Sequence, residues 1–169
     1  MDRFVSTFTN KIDAKGRVSI PAPFRLVLER DGYAGGIYCY PSLDSPAIDA
    51  GGEKLAKKID GLLDRLPEYS DERDQLSRAL YGAVHLLTID QDGRIVVPER
   101  FCAHAHLTSH IAFVGLGDKF QMWEPERYRT EEVCGREKLK ELRKLLGAGR
   151  RPDDRKTERD GGGGAGARE

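Results

Sequence analysis

The chain has 169 residues, 38% hydrophobic and 33% charged, with 28 cations against 28 acids. That composition supports one domain, or two small ones sharing a core, and neutrality excludes a uniformly basic nucleic-acid binder while leaving room for a local patch. No apolar run reaches the 18 residues of a membrane span, and none follows the first charges as in a secretory leader.

In chain order, Phe4, Phe8 and Ile12 recur on even positions with polar residues between them, which predicts a half-buried strand. The run Asp13-Ala14-Lys15-Gly16-Arg17 follows. Its Asp can bond the backbone two residues on and start a turn, and its Gly supplies the positive φ such a turn needs. Arg17 opens the alternating run Val18 and Ile20, and Pro21 closes the strand and suits a helix start. Phe24, Val27 and Leu28 predict a short amphipathic helix. Gly32, Gly35 and Gly36 then punctuate the chain before a strand at Ile37-Tyr38-Cys39-Tyr40, ended by Pro41. The first unit covers residues 4–50.

Residues 51–83 form a helical connector. Leu55, Ile59, Leu62, Leu63 and Leu66 sit at helical spacing until Pro67 stops them. Ser70 is a good N-cap before Asp71 and Glu72, and Leu76, Ala79, Leu80 and Ala83 continue one face. The pair reads as antiparallel helices packed on a sheet or offered to another subunit. A second unit covers residues 84–128, with strands at Ile111–Val114 and Phe120–Trp123 around the turn Gly115-Leu116-Gly117-Asp118. Met122-Trp123 is set in the place of Cys39-Tyr40. The stretch Glu126 to Leu146 predicts a charged helix with Leu139, Leu142, Leu145 and Leu146 on one stripe, of which 129–146 is the C-terminal helix proper. Its charged side is read as solvated and its stripe as a subunit contact. From 147 to 169 the chain is Gly, Pro, Thr, charges and three alanines, a disordered tail by composition.

The loop recurs. Asp90-Gln91-Asp92-Gly93-Arg94 is followed by Ile95-Val96-Val97-Pro98, and the copies align without a gap. They share Ile12/Ile89, Asp13/Asp90, Gly16/Gly93, Arg17/Arg94, Pro21/Pro98 and Phe24/Phe101. Two copies are too few for a solenoid and suggest halves that complete one another. Both loops fix an Arg at a hairpin tip. Lys15, however, becomes Asp92, and an acid at a tip repels phosphate. Arg94 is therefore expected to be structural, paired with Asp90 or Asp92.

The tandem Asp-x-x-Gly-Arg units, the Ile-Pro and Val-Pro that follow, and the helical connector resemble the MraZ family over about residues 4 to 128. The resemblance implies a bacterial transcriptional regulator of α+β, mainly β, class: a pseudo-symmetric double swapped-hairpin barrel of the SpoVT-AbrB type with peripheral helices. It further implies ring-shaped homo-oligomers on direct repeats of double-stranded promoter DNA upstream of the division and cell-wall gene cluster. It places the DNA contact on the first loop, at Lys15 and Arg17. Arg3, Lys11 and Arg25 complete that basic segment, five cations against Asp2 and Asp13 up to residue 25, and are candidates with them. Asp13, Gly16, Asp90, Gly93 and Arg94 are the structural loop motif. The glycine the family often has near its start is Ser6 here.

Other chemistries find little support. There is no phosphate-cradling Gly-rich run, no Ser-centred elbow and no helix-borne His-Glu-x-x-His, so neither an enzyme nor a small-molecule substrate is expected. His104, His106 and His110 lack an acidic or Cys partner nearby and read as a surface helix-loop, not a metal site. Cys39, Cys102 and Cys134 lack metal or disulfide spacing and read as reduced thiols of a cytoplasmic, nucleoid-associated protein without cofactor or membrane partner. Two alternatives are a single-repeat AbrB-like regulator, against which the tandem copy argues, and a ring-forming protein-interaction scaffold that does not bind DNA.

Overall fold

A computed structural model describes residues 2–33 and 36–148. Gly35 and the tail beyond Ala148 lie outside the described residues. The chain divides into two compact units, Met1–Tyr128 and Arg129–Glu169.

The first unit contains eight strands among its described residues: β1 Thr7–Lys11, β2 Arg17–Ser19, β3 Ile37–Pro41, β4 Ile48–Gly51, β5 His85–Leu87, β6 Arg94–Val96, β7 His110–Gly115 and β8 Phe120–Trp123. Four helices accompany them: α1 Ala22–Asp31, α2 Glu53–Leu63, α3 Asp71–Ser77, which runs on into a π-helical turn at Arg78–Gly82, and α4 Glu99–Ala105. A last helix, α5, runs Pro125–Ala148, one residue earlier and two later than the periodicity indicates.

Six strands form an antiparallel sheet in the order β1-β7-β8-β4-β3-β5, and β2 pairs β6 separately. The order reads the same when the halves are exchanged. β1 lies on β7 of the second half just as β5 lies on β3 of the first, and β4 and β8 meet across the middle. Each half thus gives its leading strand to the other. The sheet is open, with β1 and β5 at its edges, so no continuous ladder closes it into a barrel.

The register corrects one correspondence. Ile48 lies opposite Met122 and Ala50 opposite Phe120, so β4 is the counterpart of β8. Met122-Trp123 therefore matches Ala50-Gly51, not Cys39-Tyr40. The sequence Ile48-Asp49-Ala50-Gly51 escapes a propensity reading because Asp and Gly are poor strand formers. Here both sit in a fully paired, buried strand.

The repeat residues build the core between the halves. Phe24 and Phe101 are fully buried, and Val18 faces Ile95 across the β2–β6 ribbon, each 1% exposed. Phe4, Phe24 and Phe120 meet edge-on or tilted with ring centroids 5.0 to 5.3 Å apart. Truncating such a ring to Ala costs about 3–5 kcal/mol. Each helix after the ribbon starts the same way, with Pro21 and Pro98 as N-caps whose carbonyls accept from the third and fourth residues on. On the other face Leu55, Ile59, Leu63 and Leu80 pack with Tyr40, so the connector lies on the sheet, while Leu62 faces solvent. Ser70 caps α3 by accepting from Arg73 N at 3.2 Å.

Candidate nucleic-acid interface

The first loop is fixed by one carboxylate. Asp13 Oδ1 accepts from the backbone N–H of Lys15 and of Arg17, both at 2.9 Å, and Oδ2 accepts from Arg17 Nε at 2.6 Å. Asp13 N donates to Arg17 O at 2.9 Å, and Gly16, at φ 80, donates to Asp13 O at 3.0 Å. An Asx turn and a tight backbone turn are superimposed, and the left-handed residue is the Gly that tolerates it.

The second loop repeats this atom for atom. Asp90 Oδ1 accepts from the N–H of Asp92 at 2.8 Å and of Arg94 at 2.9 Å, Oδ2 accepts from Arg94 Nε at 3.2 Å, and Gly93 is at φ 76. The bond from the Arg17 N–H, followed by its guanidinium, holds the Asp13 carboxyl below the usual carboxylate range. The Arg94 N–H, then the Asp92 N–H, do the same for Asp90.

The loops differ at their free ends. Lys15 is exposed and its ammonium has no bond among the described residues, nor have the terminal nitrogens of Arg17. In the second loop Arg94 Nη2 is taken by Asp92 Oδ2 at 2.9 Å. The first tip thus offers unspent cationic donors, and the second has used one internally. The ribbon is antiparallel, with Arg17 opposite Val96 and Arg94 opposite Ser19, so the two tips lie at its opposite ends.

The remaining basic candidates do not converge on the first tip. Lys11 is exposed at the end of β1, two residues before Asp13. Arg25 lies across the second loop: a Cβ added at Gly93 would fall 1.6 Å from its Nη1. Arg3 stands with Lys54 near Asp118 in the turn between β7 and β8, where Lys58 pairs with that carboxylate. The strand exchange carries Arg25 to the other half's loop, and only long-range pairing reveals it.

Among the described residues no three His, Cys, Asp or Glu side chains could jointly hold a metal ion. His104 meets Ser45 O at 3.3 Å, His106 is the left-handed C-cap of α4, and His110 bonds Ser109. A cavity of about 460 Å³ lies between α2 and the β7–β8 turn, lined by Tyr40, Asp49, Leu55, Ile59, Lys119 and Gln121. Sequence reasoning missed its buried acid, Asp49, signalled only by a lone charge in the apolar stretch 47–51. Lys119 Nζ and Gln121 Nε2 satisfy it at 2.9 and 2.8 Å. No described helix is long and apolar enough to cross a membrane.

The MraZ protein family model matches residues 80–135, the span that holds the second loop. Transcriptional regulator MraZ of Xanthobacter autotrophicus is 53% identical over 88% of this chain and 94% of its own length. The chain belongs to the MraZ family of transcriptional regulators. MraZ of Azorhizobium caulinodans is 52% identical over 88% of this chain and 94% of its own length. The MraZ of Rickettsia bellii is still 34% identical over 86% of this chain and 96% of its own. These matches, over 86–88% of the chain, reach well beyond the span of the family model, and the relatives are named as transcriptional regulators.

Proposed function

We propose that the chain is a sequence-specific DNA-binding regulator, a repressor acting as a homo-oligomeric ring at direct repeats in the promoter of the division and cell-wall gene cluster. It works in the cytoplasm, on the nucleoid. The observation that carries the reading is the first tip: a rigid turn with a free ammonium at Lys15 and free guanidinium nitrogens on Arg17. Phosphate contacts supply most of the affinity, and Arg17, already oriented by Asp13, reaches a guanine edge. Lys11 adds charge beside that tip; Arg25 and Arg3 serve DNA only where the ring brings their separate surfaces to it.

One tip with two cations binds weakly. A ring holds several at fixed spacing, so the first contact makes the next intramolecular and affinity rises where repeat spacing matches subunit spacing. The exchange of leading strands between residues 4–50 and 84–128, across the connector 51–83, supports the swapped-hairpin reading of the fold. The test is a gel shift on the gene's own upstream region at two salt concentrations. A shift that weakens with salt and exceeds that on scrambled DNA supports the proposal; no shift at low salt leaves the protein-interaction scaffold.

A further inference from the structure

One surface stands outside the DNA-binding reading. On α5, Leu139, Leu142 and Leu146 recur at i, i+3 and i+7 and form one stripe. They are 58%, 49% and 70% exposed. Arg136, Lys138 and Arg143 border the stripe, and Glu137 and Glu141 fall on the opposite face. From 136 to 144 the helix has five cations against two acids. Two copies of α5 meeting stripe to stripe would set Lys138 near Arg143 in parallel and Arg136 near Arg143 in antiparallel. Like charges oppose both arrangements. The stripe suits an acidic partner with apolar side chains, not another α5.

The hairpin of α2 and α3 has that chemistry. From Asp60 to Asp74 it carries six acids against Arg65 and Arg73. Arg73 is already engaged with Asp64 and the Leu66 carbonyl. Leu62 is 44% exposed, and Tyr69 at the tip is 97% exposed. Tyr69 is also held at φ 65, a left-handed conformation that is rare for a bulky residue and costs free energy. A bare, strained aromatic inside an acidic surface is the kind of side chain that anchors an interface.

We propose that the leucine stripe of α5 docks on the acidic α2–α3 hairpin of a second copy of this chain. The two surfaces are different, so each chain offers one of each, and the contact is heterologous: it propagates until it closes into a ring. The inference rests on the ring reading above and assigns it a surface.

Sedimentation velocity on the full chain tests it, with two variants at exposed positions, Lys138→Glu/Arg143→Glu and Glu68→Lys/Asp74→Lys. The wild type is expected to sediment as a ring. Each variant alone should need at least a tenfold higher concentration to assemble. An equimolar mixture of the two should regain assembly, because the reversed stripe of one variant meets the reversed hairpin of the other and the alternate interface is wild type. Should a reversal unfold the chain, the neutral pairs Lys138→Gln/Arg143→Gln and Glu68→Gln/Asp74→Asn read the same shift at smaller size. A wild-type monomer overturns the ring and this surface together. A ring of unaltered stability from either variant, or a mixture that stays monomeric, overturns this surface alone.

Discussion

Asp92 holds Arg94: its Oδ2 lies 2.9 Å from Arg94 Nη2, while the matching position of the first loop is Lys15, which leaves the Arg17 guanidinium, among the described residues, bonded only to Asp13. Two loops with one backbone therefore present opposite chemistry at their tips. The inequality follows from a single residue, because the Asp, Gly and Arg that shape the turn are the same in both.

The first prediction acts on that residue. Asp92→Lys should leave the turn intact, since Asp90 supports it through the backbone, and should free Arg94. Operator affinity should stay or rise, and the slope of log affinity against log salt should steepen by about one unit for each second loop that gains a phosphate. Loss of binding by a folded Asp92→Lys or Asp92→Ala protein would count against the division of labour.

Ser6 sits at φ 74, where a Cβ is strained, and its carbonyl accepts from Gly115 N at 2.9 Å. A glycine at this point, expected from the family resemblance, would carry no Cβ to strain. Ser6→Gly should stabilise the fold by about 0.5–1 kcal/mol, the relieved strain less the entropy Gly adds to the unfolded chain. A denaturant midpoint that rises at constant slope confirms it, and a fall contradicts it.

Gly115 and Gly16 should respond differently to Ala. A Cβ at Gly115 would lie 2.5 Å from the Phe4 carbonyl, and backbone cannot yield as a side chain can. Gly115→Ala should cost about 3 kcal/mol by prising Phe4 from the core. At Gly16 the nearest atom is 3.6 Å away, so only the positive φ is penalised, about 1 kcal/mol. Equal melting shifts for the two variants would refute this ranking.

The loops were legible because their chemistry is local: Asp, Gly and Arg at fixed spacing dictate the Asx turn and its ion pair. Phe24 and Phe101 were legible as core through strand-Pro-helix patterning. What escaped is long-range. That β1 pairs β7 is not written in either strand, and the placement of Arg25 on Gly93 follows from the same exchange. The π-helical turn at Arg78–Gly82, where Leu80 O accepts from Tyr38 at 3.2 Å, interrupts a stretch that reads as ordinary helix. Asp49 hid β4 because its partners, Lys119 and Gln121, lie in the other half.

Asp13 and Asp90 have carboxyls depressed by the N–H groups of Arg17 and Arg94. A group depressed on folding contributes stability that is fully present above its unfolded value, near 3.8, and is lost as pH falls through its lower folded value. The loops should therefore remain assembled at pH 5 and loosen only below the unfolded value. Carboxyl resonances followed through an NMR titration should show midpoints under 3.8 for both residues. A midpoint at or above it would mean the turn bonds do not persist in solution.

The most direct measurement is a salt series of binding isotherms on operator and scrambled DNA for the wild type, Lys15→Ala and Arg17→Ala. If about four first tips meet one operator, each with two cations, the wild-type slope lies near −7 at most. Lys15→Ala should weaken both DNAs alike and flatten the slope. Arg17→Ala should change the slope less and lose operator preference, about 1–3 kcal/mol for each bidentate contact removed. Full operator preference in Arg17→Ala, with Lys15→Ala binding like the wild type, would contradict the assignment of DNA recognition to the first loop.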